Sequence, residues 1–144
     1  MSVAMTHTGF VVKDLDTSLS FYRDALGLDV VREADVSDEG LSKVVGYQDA
    51  RLKVAMVKGT DGHLLELIQY VNPPVTPRQP EELFERSVSG ASHLAFVVDD
   101  IDAVFDRLIG SGGRILNPLS VTRTGKKACY MQDPDGNWVE LAEA

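Results

Sequence analysis

This chain writes its opening twice. His7-Thr-Gly-Phe-Val-Val-Lys-Asp-Leu-Asp16 returns as His93-Leu-Ala-Phe-Val-Val-Asp-Asp-Ile-Asp102, with six of ten positions identical. A second pair follows, Asp61-Gly-His-Leu-Leu-Glu66-Leu and Asp135-Gly-Asn-Trp-Val-Glu140-Leu. Each half therefore opens with a histidine and closes with a glutamate, both in strand-like sequence. A repeat of this kind constrains the whole fold more than any local pattern, because both copies must solve the same packing problem.

The local grammar is the same in both halves. Met5 to Val12 is apolar and β-branched, without proline, and reads as a strand. Asp14-Leu-Asp16-Thr supplies helix-start chemistry. Leu15, Leu19, Tyr22 and Leu26 recur at helical spacing, and Gly27 suits the stop. In the second half the start lies at Asp99 to Asp102. Ile101, Val104, Phe105 and Leu108 form the apolar stripe, and Gly110 to Gly113 the stop. Strand candidates follow each helix: Leu28 to Arg32, Leu52 to Val57 and Leu64 to Tyr70, then Arg114 to Leu116, Lys127 to Gln132 and Trp138 to Ala142. The Asp-Gly pairs at 61–62 and 135–136 mark tight turns. Each module reads βαβββ, and the expected fold is α+β, two tandem modules forming a cup-shaped mixed sheet.

The histidines are 86 residues apart (7 to 93) and the glutamates 74 (66 to 140), so module 1 carries 12 extra residues. These fall in the polar stretch from Ala34 to Asp49, expected as a surface insertion or a mobile loop over the site. Asn72 to Pro80 holds four of the six prolines and reads as a stiff linker, with a short helix at Glu81 to Arg86 leading on. The expected organisation is one domain, 1–144: module 1 over about 5–71, a linker over about 72–90, and module 2 over about 91–144. The 44% apolar content is enough for a single core of that size.

Strand geometry places residues i and i+2 on one face. Phe10 and Val12, or Phe96 and Val98, pack on the following helix. That leaves His7 and His93 on the opposite face beside Gly9 and Ala95. The same rule sends Leu65, Leu67, Val139 and Leu141 to the helices and Glu66 and Glu140 to the side of the histidines. Carboxylates among Leu, Ile and Trp are costly unless neutralised. A divalent cation held by His7, Glu66, His93 and Glu140 resolves the conflict, and the nitrogen–oxygen shell suits Ni, Zn, Co, Mn or Fe. Trp138, two residues from Glu140, is expected to wall a substrate pocket, with Val11 and Tyr70 beside it. Met56 and Tyr130 occupy matching repeat positions and are expected in the core. Arg123, Lys126 and Lys127 form the one local basic cluster and read as a solvated loop. Cys129 reads as a small buried apolar group.

The net charge of −8 argues against nucleic-acid binding, which needs clustered cations to displace counterions. The lone cysteine forms no intrachain disulfide and points to a reducing compartment. With no signal-peptide pattern and no apolar run of membrane-spanning length, a cytoplasmic protein without a membrane partner is expected.

Over nearly its full length the chain resembles the vicinal oxygen chelate superfamily, which includes glyoxalase I, methylmalonyl-CoA epimerase, extradiol dioxygenases, and fosfomycin- and bleomycin-resistance proteins. The resemblance rests on His7 with Val-x-Asp-Leu-Asp16, Ser20-Phe-Tyr-Arg-Asp-Ala-Leu-Gly-Leu28, Glu66-Leu, His93-Leu-Ala-Phe-Val-Val, and Asp133-Pro-Asp-Gly-Asn-Trp-Val-Glu140-Leu. It implies two βαβββ modules around one divalent metal, with ligands at His7, Glu66, His93 and Glu140. That set is like bacterial glyoxalase I. Family epimerases often have Gln in place of Glu66, iron dioxygenases and fosfomycin enzymes use two His and one Glu, and bleomycin-type proteins lack the set. Val11 and Tyr70 stand where glyoxalase I has the Arg and Asn that hold glutathione, which argues against glutathione here. The resemblance also implies a homodimer.

The chemistry such a site supports is a glyoxalase-like lyase or isomerase reaction. The metal polarises a carbonyl of a small oxygenated compound or thioester, stabilising an enediolate or enolate. Glu140 is expected as the base, with Glu66 as its symmetry-related partner. Alternative readings are a methylmalonyl-CoA-type epimerase, an Fe(II) extradiol-type dioxygenase, and a metal-free small-molecule binding or resistance protein.

Overall fold

Two long strands, Arg51–Lys58 of eight residues and Leu64–Asn72 of nine, set the frame of the first sheet. The computed structural model describes residues 1–78, 85–115 and 117–144. The chain divides into two units, Met1–Pro77 and Arg78–Ala144, the division falling in the proline-rich stretch.

In the first unit the order is β1 (Thr8–Val11), α1 (Leu15–Leu19), β2 (Asp29–Val36), α2 (Glu39–Val45), β3 (Arg51–Lys58) and β4 (Leu64–Asn72). The sheet order is β1-β4-β3-β2, with β1 parallel to β4 and the other pairs antiparallel. Asp14 caps α1 by accepting from the Thr17 N–H at 2.8 Å and the Thr17 hydroxyl at 2.7 Å. The helix runs on through a wider π turn over Ser20–Ala25, closed by Leu26 N–H donating to Phe21 C=O at 3.0 Å. Phe10 from β1 and Val12 just after it, Leu65 and Leu67 from β4, and Leu15, Leu19, Phe21 and Tyr22 from the helix lie in the core.

The second unit repeats this plan with β5 (His93–Val98), α3 (Ile101–Gly110), β6 (Arg114–Ile115), β7 (Ser120–Val121), β8 (Lys127–Gln132) and β9 (Trp138–Glu143). Strand β5 is parallel to β9, which is antiparallel to β8. Strands β6 and β7 both pair with β8, at opposite ends of it, and together occupy the place that β2 fills in the first unit. Ile101, Val104 and Leu108 pack over Met131, Val139 and Leu141. The Asp-Pro-Asp-Gly-Asn segment is a turn tied by one carboxylate. Buried Asp133 accepts from the N–H groups of Asp135 and Asn137 at 2.9 and 2.8 Å, and from Asn137 Nδ2 at 2.9 Å. Gly136 takes the positive φ of 85° that closes the turn. The architecture is thus α+β, built from two βαβββ sheets.

Several elements differ from the sequence expectation. Strand β1 starts at Thr8 rather than Met5, so His7 lies just before it: the ladder begins at Thr8↔Leu65, one residue into β4. Strand β2 runs on from Arg32 to Val36 because β3 offers partners as far as Val36↔Leu52. The rest of the insertion is an ordered helix rather than an open loop. Asp38 caps it by accepting from Leu41 N–H at 2.8 Å, and Gly46 at φ 78° ends it. The expected helix at Glu81 to Arg86 lies mostly outside the described residues, as does Leu116 of the strand expected at Arg114 to Leu116. Among the described residues no helix is long and apolar enough to cross a membrane.

Candidate functional site

Cross-strand register, not chain proximity, builds each half of the candidate site. In the first unit Glu66 lies between Gly9 on β1 and Met56 on β3. A Cβ on Gly9 would stand 3.9 Å from Glu66 Oε2, so the glycine leaves space above the carboxylate. His7, just ahead of β1, reaches back to it, with Nε2 3.2 Å from Glu66 Oε2. Its other nitrogen, Nδ1, lies 3.0 Å from Thr6 Oγ1. His63 joins no such pair among the described residues; its Nε2 contacts Thr8 Oγ1 at 3.1 Å.

The second unit reproduces the pair. Glu140 lies between Ala95 on β5 and Tyr130 on β8, and His93 Nε2 is 3.2 Å from Glu140 Oε2. Here the copies diverge. Where the first unit has Met56, Tyr130 donates its hydroxyl to Glu140 Oε2 at 3.0 Å, and the hydroxyl oxygen lies 3.3 Å from His93 Nε2. The rings of His93 and Tyr130 meet edge to face with centroids 5.0 Å apart. Burial, and then the hydrogen bond to Glu140, push the Tyr130 phenol above its ordinary value. It therefore remains a neutral donor at physiological pH. The expectation that Tyr130 is only core packing is corrected by this bond.

The carboxylates are less buried than expected, with Glu66 and Glu140 side chains 23% and 28% exposed. Among the described residues no three His, Cys, Asp or Glu side chains converge on one point. What each unit holds is a two-donor pair. Two donors about 2.1 Å from one first-row ion stand about 3 Å apart when they occupy neighbouring positions. The 3.2 Å separation and the mixed nitrogen–oxygen chemistry thus fit each pair as two ligands of such an ion.

A cavity of about 550 Å³ opens beside the second pair, lined by His93, Tyr130 and Trp138 together with Arg86, Asn117 and Ser120. Trp138 lines this cavity. Arg86 was not singled out from the sequence. Its guanidinium lies over the Trp138 ring at 4.6 Å and over the Tyr130 ring at 5.7 Å. Nothing in local spacing signals that contact. In the first unit Val11 is 50% exposed, and Tyr70 packs edge to face on Tyr47 from the insertion, with centroids 5.8 Å apart. Cys129 is buried, which pushes its thiol up, and it too borders the cavity. Lys127 is paired with Asp102, which raises its ammonium above the usual lysine value.

A family model for the Glyoxalase/Bleomycin resistance protein/Dioxygenase superfamily matches residues 4–141. The chain is 28% identical to a protein named probable lactoylglutathione lyase from Synechocystis sp., over 96% of this chain and 94% of that one. It is 28% identical to a 2-epi-5-epi-valiolone epimerase from Actinomyces sp., over 97% and 79% of the two chains. Among solved structures, a glyoxalase family protein from Bacillus cereus superposes with a TM-score of 0.87 at 26% identity, covering 99% of this chain and 95% of its own. With a family model spanning nearly every residue and a matching fold, the chain belongs to the glyoxalase/bleomycin resistance protein/dioxygenase superfamily.

Proposed function

We propose that this chain is a divalent-metal-dependent, glyoxalase-like lyase or isomerase that moves a proton on a small oxygenated carbonyl compound or thioester. The observation that carries the reading is the duplicated His–Glu pair, 3.2 Å in each unit, with the glutamates on equivalent strands. His7, Glu66, His93 and Glu140 would hold one ion of the Ni, Zn, Co, Mn or Fe group. A bound ion of this class polarises a substrate carbonyl and lowers the barrier to removing the neighbouring proton.

The chain's own groups would do the rest. Glu66 and Glu140 are the carboxylates placed to take that proton and return it, a role typically worth about 10²–10⁴-fold in rate. The Tyr130 hydroxyl tethers Glu140 and fixes the orientation of its carboxylate. Glu66, facing Met56, carries no such tether among the described residues. Glu140, oriented by that bond, would act as the base, with Glu66 as its symmetry-related partner. Trp138 and Tyr130 would shield the reacting carbon from water. Membership of the superfamily supports a homodimer. Val11 and Tyr70 at the positions that hold glutathione in glyoxalase I support a substrate other than a glutathione adduct.

A second reading, an epimerase, shares the proton-transfer logic and is supported by the epimerase relative. Elemental analysis of protein purified without chelator tests the metal, beside a His93→Ala variant. Near-stoichiometric Ni, Co, Zn or Mn, lost in the variant, is the expected result. Screening of 2-oxoaldehyde adducts and acyl-CoA thioesters in deuterated water then separates lyase from epimerase by product. Iron with oxygen consumption would favour the dioxygenase instead, and no metal after reconstitution would sink the catalytic reading.

A further inference from the structure

The second unit's cavity holds one cation whose partner is not a carboxylate. Elsewhere in this acidic chain four cations are ion-paired: Arg23 with Asp24, Lys43 with Glu39, Arg51 with Asp35 and Lys127 with Asp102. Among the described residues Arg86 forms no ion pair; it acts on the neighbouring Glu85 carboxylate only through its backbone N–H and its charge. The carboxylate next to it in sequence, Glu85, is occupied by the Ser87 hydroxyl at 2.8 Å and the Ser87 N–H at 3.2 Å. Arg86 instead lies over Trp138 and Tyr130.

That placement has a chemical consequence. Stacking on an indole face satisfies the guanidinium plane and leaves its edge N–H donors free in a rigid fork. The fork matches a carboxylate bidentately. Stacking also removes much of the side-chain freedom that ligand binding would otherwise have to freeze. The rest of the wall is apolar at Pro118, Tyr130 and Trp138, and polar at Asn117 and Ser120. Its volume of about 550 Å³ lies within the usual range for small-molecule sites. In a chain of net charge −8 a local cation favours the approach of an anion.

We propose that this cavity selects carboxylate-bearing small molecules, with Arg86 as the specificity residue that receives the carboxylate while Tyr130, Trp138 and Pro118 hold an apolar body. This deepens the proposed function, resting on it for the claim that the ligand is the substrate, and names that substrate as a carboxylic acid.

Trp138 is the only tryptophan, so its fluorescence reports directly on the stack. The full-length protein is titrated with 3-phenylpropionate and with its neutral isostere 3-phenylpropanamide, as purified and again after dialysis against chelator. The acid should give a saturable change in both preparations and bind about tenfold or more tighter than the amide. Arg86→Gln should bring the acid down to the amide's affinity with an unchanged melting temperature, and Arg86→Lys should restore part of the preference. Equal binding of acid and amide, no saturable change with either, a preference that survives Arg86→Gln, or one that vanishes with the chelated metal would each overturn the proposal. Because the preference is read without metal, a protein that never binds metal would defeat the proton-transfer reading and leave this one standing. Failure here with metal bound would do the reverse.

Discussion

At the scale of single residues, the difference between the two copies of the repeat says more than their likeness. Met56 and Tyr130 sit opposite Glu66 and Glu140 at equivalent register positions, yet only Tyr130 brings a hydrogen bond to its carboxylate. A donor behind a ligating carboxylate fixes its orientation, and losing such a partner typically costs about 10–100-fold in metal affinity. Tyr130→Phe should therefore weaken metal binding by that factor while leaving the fold intact, as read by competition with a chromophoric chelator. Met56→Leu, the matching change in the first unit, should leave affinity within about twofold on the same scale. Equal losses from both changes would mean that the hydroxyl contributes only packing.

At the scale of elements, short polar signals decide where helices begin. Asp14, Asp38 and Asp100 each accept from an N–H three residues on, at 2.8, 2.8 and 3.0 Å. The Thr17 hydroxyl, and then its N–H, hold Asp14 below the usual carboxylate range. A depressed native value means the ionised cap stabilises the fold above the unfolded aspartate value of about 3.9. That contribution is lost as pH falls through the lowered native value. Asp14→Ala should cost about 1 kcal/mol at pH 7, a drop in melting temperature of about 2–4 °C. The gap between variant and parent should shrink on acidification below about pH 4. A gap that stays constant down to pH 2 would show that the ionised cap is not its source. The helix Glu39–Val45 obeys the same rule, with Asp38 at its start and Gly46 at its end. Asp38 and Gly46 make the insertion readable as a helix in retrospect, because capping chemistry outweighs a merely polar composition.

At the scale of the whole molecule, each unit carries one His–Glu pair, and the proposed chemistry would draw on both. One shared ion per chain makes a prediction that two separate ions do not. Metal at a hundred times its dissociation constant should stabilise the fold by about 2.7 kcal/mol. His7→Ala and His93→Ala should each abolish that gain, although they lie in different units. Thermal melts with and without metal, beside a stoichiometry by titration, check it. Two ions per chain, or a single variant that keeps half the effect, would show that the pairs act alone.

Much of this was legible in the residues themselves. The duplication specifies the order of elements, the i, i+2 rule assigns Phe10, Leu65 and Leu67 to the core and Glu66 to the other face, and Asp-Pro-Asp-Gly-Asn announces its turn. These are local matters, set within a few residues by sterics, capping and the periods of strand and helix. The strand ends at Thr8 and Val36 were not legible, because a strand lasts only as long as its partner in the ladder. Nor were the Tyr130–Glu140 bond and the seat of Arg86 on Trp138. Those depend on the register between strands and on the path of a distant segment back onto the sheet. Side-chain spacing along one stretch carries no information about which remote atom will meet it. Only the packed tertiary structure, in which burial and hydrogen bonding compete across the whole unit, makes that choice.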